Sequence, residues 1–356
     1  MKIKWSFWFT GVRSVAFPVV LLSILFFYCG DVRAEKREKN FDTLVLGAYT
    51  VPKEAYEKEI IPAFQEHWKK KSGRELKIEQ SYVGSGAQAR AIIEGFEADV
   101  AALSLEGDID QIVKAKLISH DWKNRPWKGF ITHSVVVIGF RQGNPKKIQD
   151  WEDLTRQGVE VLYPNPKTSG GAQWNVNAIY GAGLKISQAK NGTPDAAYAR
   201  DLLKRVQKRV KVMDKSGRES VTTFERGIGD ALVTYENEVL LRQMGGKSLP
   251  FVIPPATILI QNPVAVVDRY VDKHGVRVLA EEFVKFLHTD GAQRFFAKFG
   301  FRPANPTIGK EFRGKYPTPA LLFDMDYLGG WSKVLETIYG PKGIWTQITL
   351  ELAREK

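Results

Sequence analysis

Short β-branched runs alternate with segments of helical spacing along almost the whole chain, and this alternation limits the fold more than any other feature of the sequence. Thr43–Tyr49 predicts a strand, after which Tyr56, Ile60, Phe64 and Trp68 recur at every fourth position, as one buried helix face requires. Lys77–Tyr82 predicts a second strand, Gln88–Phe96 a helix and Asp99–Leu103 a short buried strand. Parallel strands need crossovers of this kind, so the start of the chain predicts an α/β sheet.

A second series follows a Trp/Pro-rich loop. Its strands are predicted at Ser134–Phe140, Val159–Leu162, Val210–Met213 and Ala231–Tyr235, with helices at Trp174–Tyr180, Ala196–Lys208 and Thr222–Arg226. Pro254 and Pro255 interrupt the series, and Val264–Val267 leads into a helix whose Val276, Leu279, Phe283 and Phe286 share a face. The 356 residues exceed what one hydrophobic core usually holds. Two α/β units with no long linker predict two lobes, and a cleft between them is the place to look for a ligand.

The first 34 residues differ from the rest. Lys2, Lys4 and Arg13 precede an apolar run from Val15 to Tyr28, and Val32-Arg33-Ala34 then presents a cleavage site. This predicts an export signal over residues 1–34. The run is broken by Pro18 and is shorter than the roughly 20 residues of a spanning helix. Cys29 is the only cysteine, and bulky Tyr28 stands where a lipid-attachment signal wants a small residue. Removing the segment lowers the net charge from +12 to +9 and leaves no thiol, which rules out a disulfide framework and suits an envelope compartment.

Three predicted turns into helices share one character. Ser81-Tyr82-Val83-Gly84-Ser85-Gly86, Asn165-Pro166-Lys167-Thr168-Ser169-Gly170-Gly171 and Asp214-Lys215-Ser216-Gly217-Arg218 each couple serine with glycine. Glycine lets backbone approach a ligand, and first-turn amides have no partner inside their helix, so such ends attract anions. If all three converge, many neutral donors hold one small anion.

Other chemistries lack their motifs. The histidines (His67, His120, His133, His274, His288) show no metal-ligand spacing, and neither a GxSxG elbow nor a phosphate-binding GxxxxGK[ST] loop occurs. The carboxylates of Glu236 and Glu238 are two positions apart at a helix start and point in different directions. The runs Lys69–Lys71 and Lys146-Lys147 are short and sit at predicted element ends, where a solvated face explains them; no nucleic-acid-reading pattern accompanies them.

At these corners the sequence resembles the periplasmic sulfate- and thiosulfate-binding proteins of ABC importers. The resemblance runs from about Thr43 to Ile348 and rests on Gly84-Ser85-Gly86-Ala87-Gln88, on the stretch Tyr163–Asn175 and on Phe224-Glu225-Arg226-Gly227-Ile228-Gly229-Asp230. It implies a two-lobed periplasmic-binding-protein-like fold of type II, with lobe one at residues 42–132 and 257–350, lobe two at 133–256, and a hinged cleft between them. It implies an oxyanion held by the amide of Thr50, the hydroxyl and amide of Ser85, the hydroxyl of Ser169, and the amides of Gly170, Gly171 and Gly217. Arg218 is implied as support behind the loop. Tyr235 stands where the family commonly has a tryptophan, and Thr50 where it commonly has aspartate; a phenol donates a hydrogen bond but also accepts one.

The expectation is therefore an exported, monomeric binding protein, not an enzyme. It carries no cofactor or metal and binds no nucleic acid, and it delivers sulfate or thiosulfate to a membrane permease. The alternatives are another tetrahedral oxyanion such as molybdate or phosphate, or an envelope hydrolase of sulfate or phosphate esters. A cavity lined only by donors favours sulfate, because phosphate retains a proton that such a cavity leaves unpaired.

Overall fold

The computed structural model describes residues 41–355; the predicted export signal, with Cys29, lies outside them. The sheet is built from β1 (Phe41–Tyr49), β2 (Glu75–Val83), β3 (Val100–Ala102), β4 (Phe130–Phe140), β5 (Val161–Leu162), β6 (Val210–Val212), β7 (Ala231–Tyr235), β8 (Phe251–Val252), β9 (Ala256–Val266), β10 (Arg302–Pro303) and β11 (Leu321–Phe323). Its order is β2-β1-β3-β9-β4-β7-β5-β6, with β8 and β10 on β4 and β11 on β9.

Two parallel groups flank an antiparallel centre. β2, β1 and β3 run parallel, as do β7, β5 and β6, and helical crossovers supply the connections that parallel pairing demands. β4 and β9 join the groups. Phe130–Val135 of β4 pairs with β9, and Val136–Phe140 pairs with β7. Val264–Val266 of β9 pairs with β3. Both strands are buried over most of their length, as apolar runs such as Val135-Val136-Val137-Ile138 require.

The helix Gly170–Asn191 is longer than the predicted Trp174–Tyr180. Gly181 and Gly183 do not break it, because they are contact points: a β-carbon at Gly181 would lie 2.2 Å from the Phe323 ring, and one at Gly183 would lie 2.5 Å from Ala199. β9 likewise begins at Ala256, well before the predicted Val264, and carries Pro263 within its pairing with β4.

The segment after β11, which the sequence reading assigned to the first lobe, packs on both regions: a β-carbon at Gly107 would lie 3.5 Å from Leu335 and 3.6 Å from Trp331, and helices of the 133–256 region meet it as well. Trp331 meets Trp174 edge-on at 5.0 Å, Tyr339 Oη donates to the Gln173 carbonyl at 2.9 Å, and Arg200 and Lys204 pair with Glu351. Among the described residues no helix is long and apolar enough to cross a membrane.

Candidate functional site

The three serine-glycine corners meet. Gly84, just after β2, makes this possible: a β-carbon there would stand 2.5 Å from the Thr168 carbonyl oxygen and 3.1 Å from that of Lys215, so only a bare backbone lets all three approach. Hydrogen bonds fasten the cluster. Thr168 Oγ1 donates to the Lys215 carbonyl (2.8 Å), Asn165 N to the Asp214 carbonyl (2.7 Å) and Arg90 Nη1 to the Lys167 carbonyl (3.1 Å).

Between the corners lies a small cavity lined by Tyr49, Thr50, Val51, Gly84, Ser85, Ser169, Gly170, Gly171, Gly217 and Tyr235. All seven candidate ligand residues are on its wall. It sits beyond the carboxyl ends of β1, β2, β5, β6 and β7, where ligands of open α/β sheets bind. Larger grooves, such as that between Gln207–Met213 and Thr349–Glu355, lie open on the surface and gather no comparable set of free donors.

No charged side chain lines the cavity. Its polarity comes from amides: those of Thr50, Ser85, Gly170, Gly171 and Gly217 donate to no acceptor among the described residues. Three of them open helices, at Ser85–Ile93, Gly170–Asn191 and Gly217–Glu225. The first two helices have no side-chain cap, whereas Ser216 caps the third by accepting from Glu219 N. Uncapped helix starts carry partial positive charge, so the wall is electropositive without a cation.

The hydroxyls differ from one another. Ser169 Oγ has no hydrogen-bond partner among the described residues, although the residue is buried. Ser85 Oγ donates to Asp108 Oδ2 at 2.5 Å and accepts from Ser104 N at 2.9 Å. In this arrangement its proton points away from the cavity, which departs from the expected donation by the Ser85 hydroxyl. Burial pushes the Asp108 carboxyl up to about 6, against the opposing pull of the Ser85 hydrogen bond and the Arg90 charge. Tyr235 Oη lies 2.5 Å from Ser104 Oγ. Burial raises the phenol's pKa, so Tyr235 remains a neutral hydroxyl.

Arg218 stands behind the Gly217 turn. It pairs with Glu54 and, at 3.1 Å, with Glu238, and its Nη2 donates to the Val51 carbonyl at 3.2 Å. Burial works against its charge, but Glu238 and Glu54 outweigh burial and raise its pKa. Burial likewise opposes ionisation of Glu54, and Arg218 overcomes it so that Glu54 falls below its usual value; Glu238, more deeply buried, is raised. The guanidinium is thus matched by carboxylates and tethers the 214–218 corner to the chain after β1. Glu236 turns the other way, onto Arg302 at 2.7 Å, as its two-residue offset from Glu238 requires.

Gly84, Ser104 and Asp108 carry roles that the sequence did not single out. Gly84 belongs to a recognised corner, so its close approach was within reach; Ser104 and Asp108 follow β3 in no recognisable motif. No group of three or more metal-ligating side chains occurs among the described residues.

Residues 44–302 match the family of bacterial extracellular solute-binding proteins. The chain belongs to that family. Among its relatives, the sulfate-binding protein of Synechococcus elongatus is 45% identical over 87% of this chain and 87% of its own. The thiosulfate-binding protein of Pseudomonas aeruginosa is 37% identical over 85% of this chain and 90% of its own. Among solved structures, the sulfate-binding protein SubI of Mycobacterium tuberculosis superposes with a TM-score of 0.74 at 37% identity, covering 82% of this chain and 97% of SubI. These relatives are named for binding a solute, not for transforming one.

Proposed function

We propose that the chain captures sulfate as a fully deprotonated dianion in the cavity between the three corners and delivers it to an ABC permease in the envelope. The observation that carries this reading is the convergence of five unpaired amides and the free Ser169 hydroxyl on a space with no charged wall. Sulfate only accepts hydrogen bonds, and charge-assisted bonds of this type contribute about 1.5–3 kcal/mol each. The relatives are named as binding proteins, and the reading is accordingly binding without turnover. Export by the 1–34 segment and a monomeric state belong to the same proposal.

The long strands β4 and β9 would form the hinge, since each changes partner along its length. On this reading, lobe one comprises residues 42–132 and 257 to about 320, and lobe two comprises 133–256 together with the segment after β11. Tyr339 and Glu351 support placing that segment with lobe two, while Trp331 touches both lobes. The Arg218–Glu54 pair would then bridge the lobes in the closed form.

Isothermal titration of the purified chain with sulfate, thiosulfate, molybdate and phosphate tests the proposal. One sulfate or thiosulfate per chain, preferred over phosphate, is expected. Preference for phosphate, or turnover of a sulfate ester without retention of the free anion, would overturn it.

A further inference from the structure

Tyr235 brings a group into the cavity wall that can donate or accept, and Ser104 decides which. Ser104 is fully buried, and its hydroxyl has one hydrogen-bond partner among the described residues, the Tyr235 phenol at 2.5 Å. The residue is fixed from every side. Its N–H donates to Ser85 Oγ, and its carbonyl accepts from Trp174 Nε1 at 2.9 Å and Asn262 Nδ2 at 3.1 Å. Above the hydroxyl lies Gly170, where a β-carbon would be 2.7 Å from Ser104 Oγ.

Two hydroxyls share two protons. With a ligand oxygen against the phenol, one assignment satisfies both: Ser104 donates to Tyr235 Oη, and Tyr235 donates to the ligand. The reverse assignment, with Tyr235 donating to Ser104, leaves the Ser104 proton buried without an acceptor. We propose that Ser104 is a specificity-determining positioning residue, which occupies the acceptor side of the Tyr235 phenol and so restricts it to donating toward the anion. This inference rests on the anion-binding reading above and deepens it: the phenol serves as a fixed donor, and the wall rejects tetrahedral anions that retain a proton. It also explains how a tyrosine can serve there without opening the site to monohydrogen phosphate.

Titration with sulfate and with inorganic phosphate at mildly alkaline pH, where phosphate is the singly protonated dianion, tests the role. Four proteins are compared: the unaltered chain, Ser104→Ala, Tyr235→Phe and the double variant. Ser104→Ala is expected to narrow the preference for sulfate over phosphate by about tenfold, because the phenol regains a lone pair that accepts the phosphate proton. In the Tyr235→Phe background the same change should leave the preference unaltered, since Ser104 acts through the phenol. Ser104→Cys, which keeps a weaker donor of similar size, should narrow the preference less, and it serves if the alanine variant does not fold. Equal weakening of both anions in Ser104→Ala, or an undiminished effect of that change without the phenol, overturns the inference and leaves anion binding standing. Absence of binding by any oxyanion to the unaltered chain overturns the anion reading itself, and this inference with it.

Discussion

The helices Ser85–Ile93 and Gly170–Asn191 both start beside the cavity, both follow a serine-glycine corner, and neither has a side-chain cap. Their serines nevertheless differ. Ser169 Oγ is free of partners among the described residues, whereas Ser85 Oγ is held between Asp108 and the Ser104 amide. One corner offers a hydroxyl and two amides, and the other offers an amide and anchors its hydroxyl in the scaffold. Similar sequence at two helix starts therefore does not mean similar use: a hydroxyl has one proton, and the neighbour that takes it comes from elsewhere in the chain.

The comparison is tested most severely by adding a methyl group to each corner. In Gly84→Ala the new carbon would sit 2.5 Å from the Thr168 carbonyl oxygen, a backbone atom that cannot swing aside. In Gly171→Ala the nearest atom is Ser169 Oγ, at 3.3 Å. Gly84→Ala is expected to remove more than about 3 kcal/mol of anion affinity, because overpacking here separates several charge-assisted donors at once. Gly171→Ala should cost less than half of that. Equal losses by titration would mean that the contact of the corners does not organise the site.

Asp108→Asn probes the committed corner through pH. The folded carboxyl is raised to about 6 from 3.8, so the folded chain holds this proton more tightly than the unfolded chain does. Stability is then lost as pH rises from about 4 to about 6, and the full penalty, roughly 2–3 kcal/mol, persists above that. Asparagine carries no such penalty. The variant should be more stable than the unaltered chain at neutral pH, with the advantage fading as pH falls toward 4, as read from denaturant midpoints. A constant difference across that range would show that Asp108 does not titrate there.

Much of this arrangement was legible in the sequence. Ala231–Tyr235 and Ala196–Lys208 were read at their observed limits, because clean periodicity and turn residues bounded them. All seven candidate residues reached one cavity, since the corners that carry them are local motifs. Elements were lost where a local rule yielded to packing. The helix predicted to end at Tyr180 runs on through Gly181 and Gly183, which admit Phe323 and Ala199, and the strand predicted from Val264 begins at Ala256 and includes Pro263. The direction of the Ser85 hydroxyl was not legible at all, because Asp108 is 23 positions away and no pattern links the two.

Ser169→Ala sharpens the contrast from the other side. Removing a hydroxyl that has no protein partner should leave the melting temperature unchanged and lower anion affinity by about 1.5–3 kcal/mol. A change in melting without a change in affinity would move Ser169 out of the binding set and into the scaffold.

The smallest effect on affinity is expected from Ser85→Ala, and its pattern should be the inverse. The Ser85 amide remains, so anion affinity should fall by less than about 1 kcal/mol, while Asp108 loses a donor and the buried Ser104 N–H loses its acceptor, at about 1–3 kcal/mol of stability. Thermal melts and titrations of the two serine variants, read side by side, give the answer. If Ser85→Ala loses as much affinity as Ser169→Ala, the Ser85 proton must turn into the cavity when the anion arrives. Asp108 would then have to become protonated to take its place as donor to Ser85 Oγ, and anion uptake would carry a proton with it.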